Sequence, residues 1–99
     1  MNNVILIGNI TRDPDVRYTS AQDPVCVCRM SLAVNEGYGE NQKTNYIPIV
    51  AFGRTGENCE RYLKKGSKIA VQGKIQTGSY EKDGQKIYTT EVVADKVEF

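Results

Sequence analysis

The chain has 99 residues, 39% of them hydrophobic and 25% charged, with a formal net charge of +1. That length suits one compact domain over residues 1–99 with a core of its own, and the composition excludes global disorder. No run reaches the roughly 18 apolar residues that a membrane-spanning helix needs, and the near-neutral sum means that any affinity for a polyanion must come from local charge.

The first residues, Met1 to Gly8, lack a basic leader and a full apolar segment, so they read as a strand and not as a secretion signal. Within this stretch Val4–Ile10 is almost continuously apolar, the pattern of a strand covered on both faces, and it offers surface for a subunit interface. Residues 11–24 are rich in turn formers, with Val16-Arg17-Tyr18 as a brief extended piece: a loop and a returning strand.

Alternation then places Cys26, Cys28, Met30, Leu32 and Val34 on one side of a strand, expected to be core, and Val25, Val27, Arg29, Ser31 and Ala33 on the other. Three cysteines without a single histidine leave a zinc site short of a fourth ligand. The expectation is reduced core thiols in a cytoplasm, with no metal and no other cofactor. Residues 35–44 read as a mobile polar hairpin loop in which Tyr38, between two glycines, has little local core to enter.

Asn45–Phe52 is the most informative stretch. Tyr46, Pro48, Val50 and Phe52 share one face, and Ile47, Ile49 and Ala51 share the other. An apolar inner face backing outer aromatics is what a stacking platform for unpaired bases requires; burial of both faces is the competing reading. A helix over about residues 56–65 follows, with Thr55 as its cap, Cys59, Tyr62 and Leu63 as one apolar stripe, and Lys64 and Lys65 at its negative end.

Positive charge gathers in the same region, where Arg54, Arg61, Lys64, Lys65, Lys68 and Lys74 face only Glu57 and Glu60. Residues 67–77 alternate again, and Gly73 within them marks a bulge or a close backbone approach. Tyr80 and Ile87 flank a hairpin turning at Asp83-Gly84, and a long strand runs on to Phe99.

The order β, β, β, α, β, β, with the helix between main strands 3 and 4, fits an all-β, five-stranded OB-fold Greek-key barrel. The strand 2 and 3 face of such a barrel and its flanking loops bind oligonucleotides or oligosaccharides. Catalysis finds little support: there is no histidine, Asp13 and Asp15 lie in a turn-rich segment, and Gly37 and Gly39 belong to a hairpin and not to a phosphate loop. The chain is not expected to be an enzyme. Tyr38, Tyr46, Phe52 and Tyr80 fall on four predicted binding features, and this shared pattern favours stacking over burial; Tyr18, Tyr62 and Tyr88 are assigned to core or interface.

Val4–Gly8, then Asp13-Pro14-Asp15-Val16-Arg17-Tyr18-Thr19, Ser31–Val34, Tyr62-Leu63-Lys64-Lys65-Gly66-Ser67 and Tyr88-Thr89-Thr90-Glu91-Val92-Val93 form an ordered series. In it the chain resembles the bacterial single-stranded DNA-binding protein family over essentially its whole length. The resemblance implies a cytoplasmic, nucleoid-associated OB-fold domain, usually a homotetramer, that coats single-stranded DNA in replication, recombination and repair, with no small-molecule substrate and no membrane partner. It places Tyr38, Tyr46, Phe52 and Tyr80 at base-stacking positions, three of them often tryptophan in relatives. This chain has no tryptophan, so weaker binding per base is expected.

Arg54, Lys65, Lys74 and Lys43 are expected to track phosphates. Asn3, Pro48, Gln76, Gly78 and Ser79 stand where relatives often carry basic residues, which implies a salt dependence shallower by about 0.7 in slope for each phosphate left without a cation. Pro48 lacks a ladder donor and should lie at a sheet edge or a bulge. Relatives usually continue into a flexible tail with an acidic tip that recruits partner enzymes, and no such function is assigned to these residues. The alternatives are a primosomal accessory OB module, for which protein contact is primary, and an oligosaccharide-binding domain, against which the Lys and Arg ladder counts.

Overall fold

A computed structural model describes all of residues 1–99. Six strands are present: β1 (Val4–Ile10), β2 (Asp15–Tyr18), β3 (Cys26–Glu36), β4 (Lys43–Phe52), β5 (Lys68–Lys82) and β6 (Gln85–Glu98). One α-helix, α1 (Gly53–Tyr62), lies between β4 and β5, and a short 3-10 turn covers Gly39–Asn41. The hydrogen-bonded order is β1-β5-β6-β4-β3-β2, and β1 also pairs with β3. Five main strands therefore close into a barrel, with β2 as a short addition beside β1 on the free edge of β3. This is the OB-fold architecture, with the helix in the predicted slot.

Period-2 alternation builds the interior. Cys28, Met30 and Leu32 from β3, Ile49 and Ala51 from β4, Ile69 and Val71 from β5, and Val92 and Ala94 from β6 are buried together, with Cys59 and Leu63 closing one end from the helix segment. Cys26 is buried as well, and all three cysteines are free thiols. Gly73 explains how β5 and β6 bend: a Cβ at this position would lie 2.0 Å from the Val93 carbonyl oxygen, so only glycine lets the two backbones approach. The register slips between Gln72 and Gly73, leaving Asp95 as the extra residue of a bulge on β6. Bulge and close approach coincide, as the strand glycine predicted.

At the far end of this pair, Asp83 and Gly84 both have positive φ, at 53° and 78°. They join Lys82 to Gln85 in a two-residue hairpin whose twist suits the strands. At the other margin, Asn2 extends the β1–β5 ladder through its side chain, donating to the Ile75 carbonyl at 2.9 Å and accepting from the Ile75 N–H at 2.8 Å.

Four expectations need correction. The helix begins at Gly53 and ends at Tyr62, so Thr55 is inside it and no side chain caps it. Gly53, at φ +60°, turns the chain straight out of β4, a route that only a residue without Cβ takes cheaply. Its end is set by the Leu63 N–H donating to the Cys59 carbonyl and by a turn in which Ser67 bonds back to Lys64, which leaves Lys64 and Lys65 outside. The β3–β4 hairpin is longer than expected: Asn35 pairs with Thr44 and Glu36 with Lys43, leaving residues 37–42 as the loop.

Strand β1 is not covered on both faces within one chain. Val4 and Leu6 point inward, but Ile5 and Ile7 are 67% and 59% exposed. Finally, of the core or interface roles expected for Tyr18, Tyr62 and Tyr88, the core one does not hold, since all three are exposed on the single chain; Tyr62 packs its ring 5.7 Å from that of Phe99, with Arg61 over its face.

Candidate nucleic-acid interface

Strand β4 is held between β3 along its whole length and β6 at only two positions, Ile49↔Val92 and Val50↔Val93. The inner residues Ile49 and Ala51 are buried, and Ile47 packs partly against the core. Tyr46 and Phe52 project from the other face, where side chains have solvent on one side. Pro48 falls one residue before the β6 ladder starts, where the β6 side of β4 is open. The edge position inferred for a residue without an N–H is therefore met.

The register carries this face outward. Val50 lies beside Val93, which pairs with Lys74, so Lys74, Gln76, Gly78 and Tyr80 of β5 share the face of Tyr46 and Phe52. On the opposite side Phe52 meets Val27 and Val50 meets Arg29, which pairs in turn with Asp15 of β2. Tyr38, Tyr46, Phe52 and Tyr80 are 89%, 68%, 43% and 52% exposed, so none is a core ring. Val50, expected on the same face, is fully buried among Arg29, Pro48, Phe52 and Val93, and it serves as the floor of the face.

The fold brings the predicted residues together unequally. Tyr46, Phe52, Lys74 and Tyr80 lie on one continuous strand surface. Tyr38 and Lys43 sit on the β3–β4 hairpin beyond Tyr46, with Lys43 opposite Glu36, and Arg54 follows Phe52 by two residues at the start of α1. Lys65 lies apart, beyond the helix, where its backbone N–H donates to Asp13 Oδ1 at 2.8 Å. None of the four cations forms an ion pair, leaving each head group free for an anion.

Two features of the face escaped the sequence reading. Arg29 Nη1 reaches Glu91 Oε2 at 2.8 Å, bridging β3 to β6 across β4. Below Tyr46 and Pro48, where β4 and β6 part, a recess of about 430 Å³ opens toward Val4, Leu6, Ile47 and Ile75 of the barrel interior. Parity alone put Arg29 on the outer side of its strand; only the register shows which residue it meets.

The thiols lie behind this surface. Burial, with the neighbouring Cys28 thiol, pushes the Cys26 thiol above its ordinary range. Cys28 is raised through its hydrogen bond with Cys59 and by burial. Both are thus held protonated, as apolar packing groups. No cluster of three or more His, Cys, Asp or Glu side chains is disposed to hold a metal ion, and no helix is long and apolar enough to cross a membrane.

Barrel closure and helix position define the class: an OB-fold domain, here with one strand face bearing exposed rings and unpaired cations. The chain belongs to the single-strand binding protein family, whose match covers residues 1–99. It is 44% identical over its full length to proteins named single-stranded DNA-binding protein from Clostridium perfringens and Oceanobacillus iheyensis, covering 65% and 63% of their lengths. Single-stranded DNA-binding protein 1 of Staphylococcus aureus is similar to the same degree, with 65% of its length covered. The chain thus spans somewhat under two thirds of these curated relatives.

Proposed function

We propose that this chain binds single-stranded DNA without sequence preference, stacking bases on Tyr38, Tyr46, Phe52 and Tyr80 and pairing phosphates with Arg54, Lys65, Lys74 and Lys43. The observation that carries this reading is Tyr46 and Phe52 standing exposed on one face of β4 while Ile49 and Ala51 behind them are buried. Exposed rings on a rigid strand lose little entropy when a base stacks, and every base offers a π-face. The names of the relatives agree with it. The role is one of non-catalytic binding, protecting single strands during replication, recombination and repair, in an assembly of identical chains for which a tetramer is favoured.

The test is a titration with oligo-dT at two salt concentrations. Tight binding that weakens with salt, by about 0.7 in logarithmic slope for each phosphate bound, supports the reading. Weak binding insensitive to salt would overturn it in favour of a protein-interaction module, and glycan binding without DNA binding in favour of an oligosaccharide domain.

A further inference from the structure

The centre of the strand face carries an electrostatic arrangement that neither the stacking rings nor the free cations use. Along β4 the outward residues between Tyr46 and Phe52 are Pro48 and Val50, which offer a passing strand neither a donor nor a charge. The cation nearest this gap in the register is Arg29, opposite Val50, and it is engaged with Glu91 at 2.8 Å. Glu91 is largely covered, whereas Arg29 is more open. The charge-assisted bond is short, and the covered carboxylate sits where its field is less screened than in bulk water.

Arg29 and Glu91 border a recess shared with Arg12, Asp13, Asp15 and Pro48. Arg17 lies within 3.7 Å of Asp15, so the recess is close to balanced in charge and its short ion pair is Arg29–Glu91; Lys74 and Arg54 lie to its sides. A phosphate passing over Pro48 meets Glu91, and Arg29, the guanidinium bonded to that carboxylate, is already engaged.

We infer that Glu91 competes with the DNA backbone for Arg29, making Arg29 a phosphate-binding residue held in reserve and Glu91 a brake on affinity. The inference rests on the proposed DNA-binding reading. In the chain as it stands Arg29 neutralises Glu91 and touches no phosphate; without the carboxylate, its guanidinium is free to pair with the strand. A pair acting only as a strut between β3 and β6 has a different signature, since removing either partner then weakens binding alike.

The experiment titrates oligo-dT across a salt series into the wild type, Glu91→Gln, Arg29→Gln and the double variant, with thermal unfolding to report the folded state of each. Glu91→Gln is expected to bind more tightly, with a salt slope steeper by about 0.7, which amounts to about eightfold at roughly 50 mM salt relative to 1 M. Arg29→Gln is expected to weaken binding through the bare carboxylate without flattening the slope, and the double variant to return near wild type. Glu91→Gln binding no more tightly than wild type, or Arg29→Gln flattening the slope by a full phosphate's share, overturns the inference. Should Glu91→Gln fail to fold, the Arg29→Gln slope decides alone. A wild type that binds no oligo-dT overturns the DNA-binding reading itself, an outcome distinct from either.

Discussion

Gly73 on β5 and Val93 on β6 approach so closely that a methyl group on the first would stand 2.0 Å from the carbonyl oxygen of the second. The obstacle is backbone and cannot rotate away, so the two strands must separate beside the bulge at Asp95. Gly73→Ala is expected to destabilise the fold by about 1 to 3 kcal/mol, as overpacking of a tight site does, read from denaturant midpoints. A midpoint equal to wild type would show that the bend does not depend on this close approach.

Tyr46 presents the more exposed of the two β4 rings. If a base stacks on it, Tyr46→Ala should weaken oligo-dT binding by about 1 to 3 kcal/mol while leaving thermal unfolding nearly unchanged. Tyr62→Ala provides the comparison, because that ring is also exposed but lies on α1 against Phe99. Equal losses in the two variants would mean that the strand face is not the stacking surface.

Ile5 and Ile7 turn an apolar row outward from β1, beside Ala70 and Gln72 of β5. If this row joins identical chains, Ile5→Asp places a charge in the joint, and light scattering should report a fall from the assembly toward the 11.0 kDa single chain. An unaltered mass in the folded variant would place the joint elsewhere.

The Cys26 thiol makes stability sensitive to alkali. Its folded pKa is raised by burial above the ordinary 9.0, so the unfolded chain gives up this proton first as pH rises. The thiol's contribution is whole below about pH 9 and is lost progressively above it. Cys26→Ala should therefore lose less stability than wild type between neutral and alkaline pH in urea titrations. Parallel curves would contradict the assignment.

Much of this arrangement was legible because it follows from period 2. The alternation of β4, the buried cysteine side of β3 and the Asp83-Gly84 hairpin all rest on neighbours in sequence. Where the reading fell short, the deciding partner was remote or the pattern was silent. Ile5 and Ile7 are as apolar as Leu6, so β1 showed no alternation although it has one. Val50 is buried by residues of β3 and β6 that only the register supplies, and Glu91 lies 62 positions from Arg29. The helix start is hidden because a glycine turning directly out of a strand leaves no capping signature, whereas Thr55, a good cap by residue type, lies inside the helix.

The barrel is sealed between β4 and β6 by two residue pairs, Ile49↔Val92 and Val50↔Val93, whereas β3–β4 and β5–β6 are long hairpins. Hairpins form from near neighbours, but this seam must gather segments separated by a helix and a whole strand, and its loop-closure entropy falls due before any pairing offsets it. Hydrogen exchange is expected to find the amides of this short ladder, and of the equally short β1–β3 ladder, exchanging ahead of those in the two hairpins.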